Sequence, residues 1–314
     1  MRFFEKLSKE VNKFLNYFPV ALFIVFLSIK YKKSPIILTK TNPKFPYGGM
    51  ISSKTEIFRN FNKDKKIFEK YFAKTIIINP NTSKEELNDL LKKSNFQFPG
   101  IIKPDFGFCG IGTEKIKNEG SLKNILKEIK IKYLFQEYCE YPYELGIFYI
   151  KIPGKKYGEI WSITQRIFPE KQSKKIAKPN TKFIYKECSE LISPKIQEKF
   201  NEISKKSGMY FGRFDIKVKD LKEFSKKAEN FKILEVNVGA DSMGIHAFDR
   251  KYSRIQRLKI LYNQFDIAFK IAIKNESSKK HKHIKFLKET AKYFGAIKRY
   301  NLMFKQLRKS IKNN

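Results

Sequence analysis

Cysteine is scarce: Cys109, Cys139 and Cys188 are the only three in 314 residues, an odd number with no Cys-x-x-Cys pair. That excludes a disulfide framework and a zinc ribbon, and makes a reducing interior such as the cytoplasm the natural compartment. Histidine is equally rare, and His246, His281 and His283 lie far from the cysteines. The apolar run Tyr17 to Ile29 falls short of the ~20 residues that cross a bilayer, and the lysines after it replace the small-residue cleavage site of a secretory signal. Fifteen glycines and 12 prolines are too few for a collagen-like or low-complexity chain. Acidic residues are short as well: 31 Asp and Glu against 66 Lys and Arg leave a formal net charge of +35. Such a surface attracts polyanions, but a charge spread along the chain suits nucleic acid, anionic lipid and nucleotide phosphates alike.

What remains is a folded globular chain, 41% apolar and 15% aromatic, long enough for about two domains. The run Tyr17 to Ile29 reads as a helix, either buried or lying on an anionic membrane surface, with insertion as a third option. Ser34 to Pro43 reads as a short strand ending in a turn, and Asn42 to Met50 as a loop at a lobe boundary. Ser53 and Glu56 have the spacing of a capping box. A strand (Thr75 to Ile78), a helix from Thr82 or Ser83 to Lys93, and a strand closing on Pro104 follow, so the pattern mixes α and β.

The loop Asp105 to Gly112 reads Gly107-x-x-Gly110-x-Gly112, which is neither a Walker A loop nor a dinucleotide fingerprint. It offers freely oriented N–H groups beside Lys103, suited to covering a phosphate chain, although a glycine-bearing hairpin turn is an equally simple reading. A helix from about Ser121 to Lys130 leads to Tyr133 to Ile150, read as strand, turn, strand, with Glu137 and Glu144 at the turn's edges. A strand over Gly158 to Phe168 precedes a lysine-rich loop, Pro169 to Lys182. After a helix over Ser193 to Ser207, two strands, Met209 to Lys219 and Phe231 to Asn237, carry the densest chemistry. Residues i and i+2 share a strand face, so Arg213 sides with Asp215, and Glu235 with Asn237. Two carboxylates and an amide oxygen suit Mg²⁺, which takes further ligands from substrate phosphates and water. A buried salt bridge from Arg213 to Asp215 or Glu235 is the structural alternative.

Taken in order, Ile102-Lys103-Pro104, the glycine loop, Gln136-Glu137-Tyr138 with Glu144, Arg213-x-Asp215 and Glu235-Val236-Asn237 resemble the ATP-grasp superfamily over about residues 50 to 275. The likeness is greatest to its D-alanine:D-alanine ligase-like carboxylate–amine ligases. The resemblance implies an α+β fold of two lobes, with mainly antiparallel sheets, gripping ATP between them. It places Lys103 and Lys54 at the phosphates, Gly110 and Gly112 in a cover over them, Gln136, Glu137 and Tyr138 at the adenine, and Glu144 at the ribose. Asp215, Glu235 and Asn237 would hold Mg²⁺, and Arg213 would stabilise the transferring phosphoryl group. The implied reaction activates a small-molecule carboxylate as an acyl phosphate for attack by an amine or another nucleophile, with the 169–182 loop as a lid. A catalytically idle ATP-grasp fold that binds nucleic acid or a membrane surface is the alternative.

Two departures from those ligases stand out. A short segment, 1–49, replaces their fuller N-terminal domain, and Val238 to Gly244 lacks their Pro-Gly turn. The Asn42-Pro43 and Gly48-Gly49-Met50 elements instead resemble ATP-grasp proteins of unassigned substrate. The expected division is 1–49, a small lobe over 50–138, a metal-bearing lobe over 139–275, and a basic amphipathic helix within 276–314. That last helix docks on the fold or meets acidic lipid or an acidic polymer. A cytoplasmic protein, with the inner membrane face as a second station and no specific nucleic-acid partner, is the resulting expectation.

Overall fold

A computed structural model describes residues 18–106, 112–126, 129, 131–168, 183–242 and 244–277. Gly107 and Gly110, the 169–182 loop and the C-terminal amphipathic helix therefore lie outside the described residues. The first element, α1, is a helix whose described part runs over 18–31. Ser34 to Pro43 is not a strand but a 3-10 turn over Pro35–Lys40. Pro35 sits at its first position with a compatible φ, and the Ser34 hydroxyl accepts the Ile36 N–H at 3.5 Å. Ile37 and Leu38 thereby enter a buried apolar cluster instead of pairing in a sheet.

Asn42 fastens the next loop. Its Oδ1 accepts the N–H groups of Tyr210 (2.7 Å) and Phe211 (2.9 Å), while its Nδ2 donates to the carbonyls of Phe211 and Gly48. Gly49 then passes Val238 at φ +99°, where an added Cβ would lie 2.5 Å from the Val238 carbonyl oxygen. Only glycine fits both demands.

The smaller sheet is antiparallel, in the order β1 (Thr75–Ile78), β4 (Tyr133–Glu137), β2 (Gly100–Pro104), β3 (Glu114–Ile116). Helices α2 (Lys54–Phe61) and α3 (Lys65–Tyr71) precede it, and α4 (Lys84–Lys93) and α5 (Glu119–Leu126) lie within it in sequence. The Ser53/Glu56 capping box is present, and Ser83 caps α4. Strand alternation divides the sheet's duties. Ile76, Ile78, Ile102 and Phe135 pack with Leu87 and Leu91 of α4 and Leu122 of α5, whereas Lys103 and Gln136 lie on the opposite face.

The larger sheet, also antiparallel, runs β7 (Ile184–Glu187), β6 (Glu159–Ile167), β5 (Tyr143–Ile150), β8 (Phe211–Val218), β9 (Phe231–Val238). The strands on either side of the 138–142 turn, β4 and β5, thus belong to different sheets. Leu145, Ile147, Ile163, Phe214 and Ile216 form the apolar back face, packed with Phe61, Phe72 and Phe200 from α2, the end of α3 and α6 (Pro194–Ser204). Each such aromatic, fully buried, contributes about 2–3 kcal/mol of transfer free energy. The front face carries Glu144 and Gly146, Thr164 and Arg166, Arg213 and Asp215, Glu235 and Asn237, facing one another in register. The chain continues from α7 (Leu221–Lys227) through β9 and a turn at Ile245–Phe248 to α8 (Arg254–Ser277), which packs on Phe148, Ile150, Phe211 and α1.

Candidate functional site

Between the two sheets, charges meet that neither sheet could accommodate alone. Lys103 and Leu134 are register partners, so Gln136, two residues on, is a diagonal neighbour of Lys103 on the same face. The Lys103 ammonium is buried and donates to Gln136 Oε1 at 2.9 Å and to the Leu234 carbonyl of β9 at 3.0 Å. Gln136 is fixed in turn by donating to Thr75 Oγ1 (2.9 Å) and to the same Leu234 carbonyl (3.1 Å). Burial drives the Lys103 pKa down to about 8, because its direct partners are neutral and the nearby Glu235 carboxylate offsets only part of the desolvation.

On the larger sheet Asp215 is the anionic counterpart. Arg213 Nε donates to its Oδ1 at 2.7 Å and Asn237 Nδ2 to its Oδ2 at 3.0 Å, with Arg166 3.8 Å from Oδ2. Burial alone would raise the Asp215 pKa, but the charges of Arg213 and Arg166 and these hydrogen bonds hold it below the usual carboxylate range. Gly146, directly across from Asp215, leaves room for Arg213, since a Cβ there would stand 3.1 Å from Arg213 Cδ. Glu235 is the register partner of Asp215 on β9, and Lys54 lies 3.4 Å from its Oε1. The pairing therefore brings together Arg213, Asp215, Glu235, Asn237 and Lys54.

Lys54 owes its place to two caps. Ser53 Oγ accepts the Glu56 N–H, and Asp105 Oδ1 accepts the Thr55 N–H at 2.8 Å while the Asp105 carbonyl accepts the Lys54 N–H. Asp105 thus ties the base of the glycine loop to the helix start that presents Lys54. Of the glycines expected to cover phosphates, Gly112 is described, at φ +71°.

The adenine and ribose expectations meet a more crowded arrangement. The Gln136 side chain turns inward to Lys103. The N–H groups of Glu137 and Tyr138 already donate to the carbonyls of Lys74 and Pro99, so an adenine at this edge would have to use other main-chain groups. Lys115 stands 3.4 Å above the Tyr138 ring, and Lys232 lies 3.8 Å from Glu137. Glu144 is hydrogen-bonded by Arg166, its register partner on β6.

Arg166 is the functional candidate that sequence reading missed. It lies half-buried between Glu144 and Asp215, with no hydrogen-bond partner for its buried Nε among the described residues. Its place in an unremarkable strand gave no local signal; only the β5–β6 register reveals it. His246 lies on the Ile245–Phe248 turn, near Phe148 at the position of Gly244, and burial lowers its pKa.

Magnesium fits this donor set chemically: two carboxylates on adjacent strands, with an amide whose nitrogen is engaged and whose oxygen is the atom left to meet a cation. Among the described residues no group of three or more His, Cys, Asp or Glu forms a metal cluster. The remaining ligands would have to come from phosphates and water, as they commonly do for this ion.

Residues 62–152 match the family model of the RimK-like ATP-grasp domain, a span that takes in the smaller sheet and β5. Together with the two antiparallel sheets and their helices, the match identifies an α+β, ATP-grasp fold. Solved structures similar to this chain include the VanG D-Ala:D-Ser ligase from Enterococcus faecalis, at 16% identity and a TM-score of 0.45, over 69% of this chain and 62% of that one. The ATP-grasp ligase PsnB complexed with minimal precursor gives 14% identity and a TM-score of 0.44 over 70% of this chain and 62% of its own. PsnB with a phosphomimetic variant of that precursor, Mg and ADP has the same identity and TM-score over 60% of its own length. The chain thus spans about three-fifths of the length of these proteins. No curated protein matches it.

Proposed function

We propose that this protein is an ATP- and Mg²⁺-dependent ligase that activates a carboxylate as an acyl phosphate, which an amine or another nucleophile then attacks. The observation that carries the reading is the buried Lys103 ammonium, whose direct partners among the described residues are neutral, facing the Arg213–Asp215–Asn237 and Lys54–Glu235 groups across one cleft. A cation kept buried without a bonded counter-ion suits a ligand that brings its own negative charge, such as a phosphate chain. The RimK-like ATP-grasp match supports the same choice of ligand.

In this reading Lys103 and Lys54 bind the phosphates, and the ribose shares Glu144 with Arg166. Asp215, Glu235 and Asn237 hold Mg²⁺, which when bound neutralises phosphate charge. Arg213 stabilises the phosphoryl group as it passes to the carboxylate oxygen, and afterwards the oxyanion formed when the nucleophile attacks the acyl carbon. Phosphate is then expelled. Each step concentrates negative charge, so positioned cations are the effective catalysts. Residues 50–138 and 139–275 serve as the two lobes.

Calorimetry or thermal shift with ATP, with and without Mg²⁺, tests the proposal on wild type, Lys103→Ala and Glu235→Gln. A Mg²⁺-dependent response lost in both variants is expected. A wild type that ignores ATP but binds polyanions with a steep salt dependence would instead identify an idle fold acting through its basic surface.

A further inference from the structure

Helix α1 is apolar on two opposite faces. Leu27 is fully buried and packs, with Val20, Ile24 and Tyr31, in the cluster formed with α8; Phe23 meets Tyr262 edge-on and Tyr31 stacks on Phe269. Leu22, Val25, Phe26 and Ile29 are nevertheless between 51% and 72% exposed. At 100° per residue these four fall within about 100° of arc, opposite Leu27, so they form one continuous stripe. A helix apolar all round needs cover on its second side.

Charge narrows the choice of cover. From Val11 to Thr55 there is no Asp or Glu, and there are seven lysines, of which Lys30, Lys32 and Lys33 follow directly after the stripe. On α8, Asp266 and Glu276 are already paired with Lys30, Lys270 and Lys33. The net charge of +35 opposes face-to-face contact between two copies. The apolar run Tyr17 to Ile29 is shorter than the ~20 residues that cross a bilayer's hydrocarbon core, and among the described residues no helix is long and apolar enough to cross a membrane. An apolar stripe, lysines at its end and insufficient length to span together describe a helix lying in a lipid interface.

We infer that α1 docks the protein on an anionic lipid bilayer, its Leu22–Ile29 stripe in the acyl boundary and Lys32, exposed and outside the ion pairs that tie Lys30 and Lys33 to α8, at the headgroups. This goes beyond the ligase reading and does not depend on it. The test is vesicle flotation of the full chain with phosphatidylcholine alone and with phosphatidylcholine–phosphatidylglycerol. It compares wild type with the triple variant Leu22→Gln, Val25→Gln, Ile29→Gln, which leaves the charge unchanged and avoids the contacts to α8. Wild type should float with the anionic vesicles, and the triple variant should bind them at least about tenfold more weakly at unchanged Tm.

Absence of wild-type binding to anionic vesicles would overturn the inference. So would undiminished binding by the triple variant, which would mark adventitious attraction of a basic surface. A lowered Tm with unchanged lipid binding would show another part of this chain on the stripe. A concentration-dependent dimer abolished by the triple variant would show a second copy there.

Discussion

The two sheets each bury a charge at the cleft, and they hold it in opposite ways. On the smaller sheet Lys103 is bonded, among the described residues, only to neutral oxygens, and its pKa falls to about 8. On the larger sheet Asp215 is wrapped by Arg213, Asn237 and, at longer range, Arg166, and its pKa is held low despite burial. The anion is compensated by directly bonded partners; the cation is compensated only in part, by the nearby Glu235 and Asp215 carboxylates. If the proposed ligase reading holds, that asymmetry is functional: the buried cation would gain most from an incoming polyanion, while the compensated carboxylate would be held in place for a cation that arrives with it.

Removing Asp215 should break the comparison most severely. Asp215→Ala removes the carboxylate shared by the half-buried Arg213 and Arg166 guanidinium groups and leaves Arg166 with Glu144, and a loss of about 3 kcal/mol in urea denaturation is expected. In wild type this contribution is present above the ordinary carboxylate pKa and is lost as pH falls through the depressed native value. Lys103 should behave in the reverse sense. Its native pKa lies below the unfolded 10.5, so the unfolded chain binds more protons between about pH 8 and 10.5 and stability rises across that window. The gain should approach about 3 kcal/mol relative to Lys103→Met, read as the difference between the two proteins' pH–stability curves.

The Arg166–Glu144 pair sharpens the comparison. In a double-mutant cycle of Arg166→Met and Glu144→Gln, a coupling of about 2 kcal/mol is expected, with the double variant more stable than the sum of the single losses implies. Additive losses would separate Arg166 from Glu144. The smallest effect belongs to the cap that presents Lys54: Ser53→Ala should cost about 1 kcal/mol of stability and weaken the nucleotide response modestly.

Much of the fold was legible because local signals agreed with their surroundings. Ser53 with Glu56, Ser83, and the i, i+2 pairs of β8 and β9 each read correctly from short stretches of sequence. Pro35–Lys40 did not, because a β-rich run of Ile, Ile, Leu and Thr was overridden by the Ser34–Pro35 start and by burial of Ile37 and Leu38 among α1, α8 and β5. In the site, Arg213, Asp215, Glu235 and Asn237 were visible since their spacing lies within two strands. Arg166, Asp105 and Thr75 were not, because their partners are set by register and tertiary placement: Glu144 lies across β5–β6, the Thr55 N–H 50 residues away, and Gln136 across β1–β4.

By sequence Leu234 is an ordinary apolar strand residue, yet its carbonyl receives both Lys103 and Gln136 from the opposite sheet. One main-chain oxygen therefore latches the two sheets together. A phosphate that captured Lys103 would release half of that latch, so the loaded clamp would be the looser one at this joint.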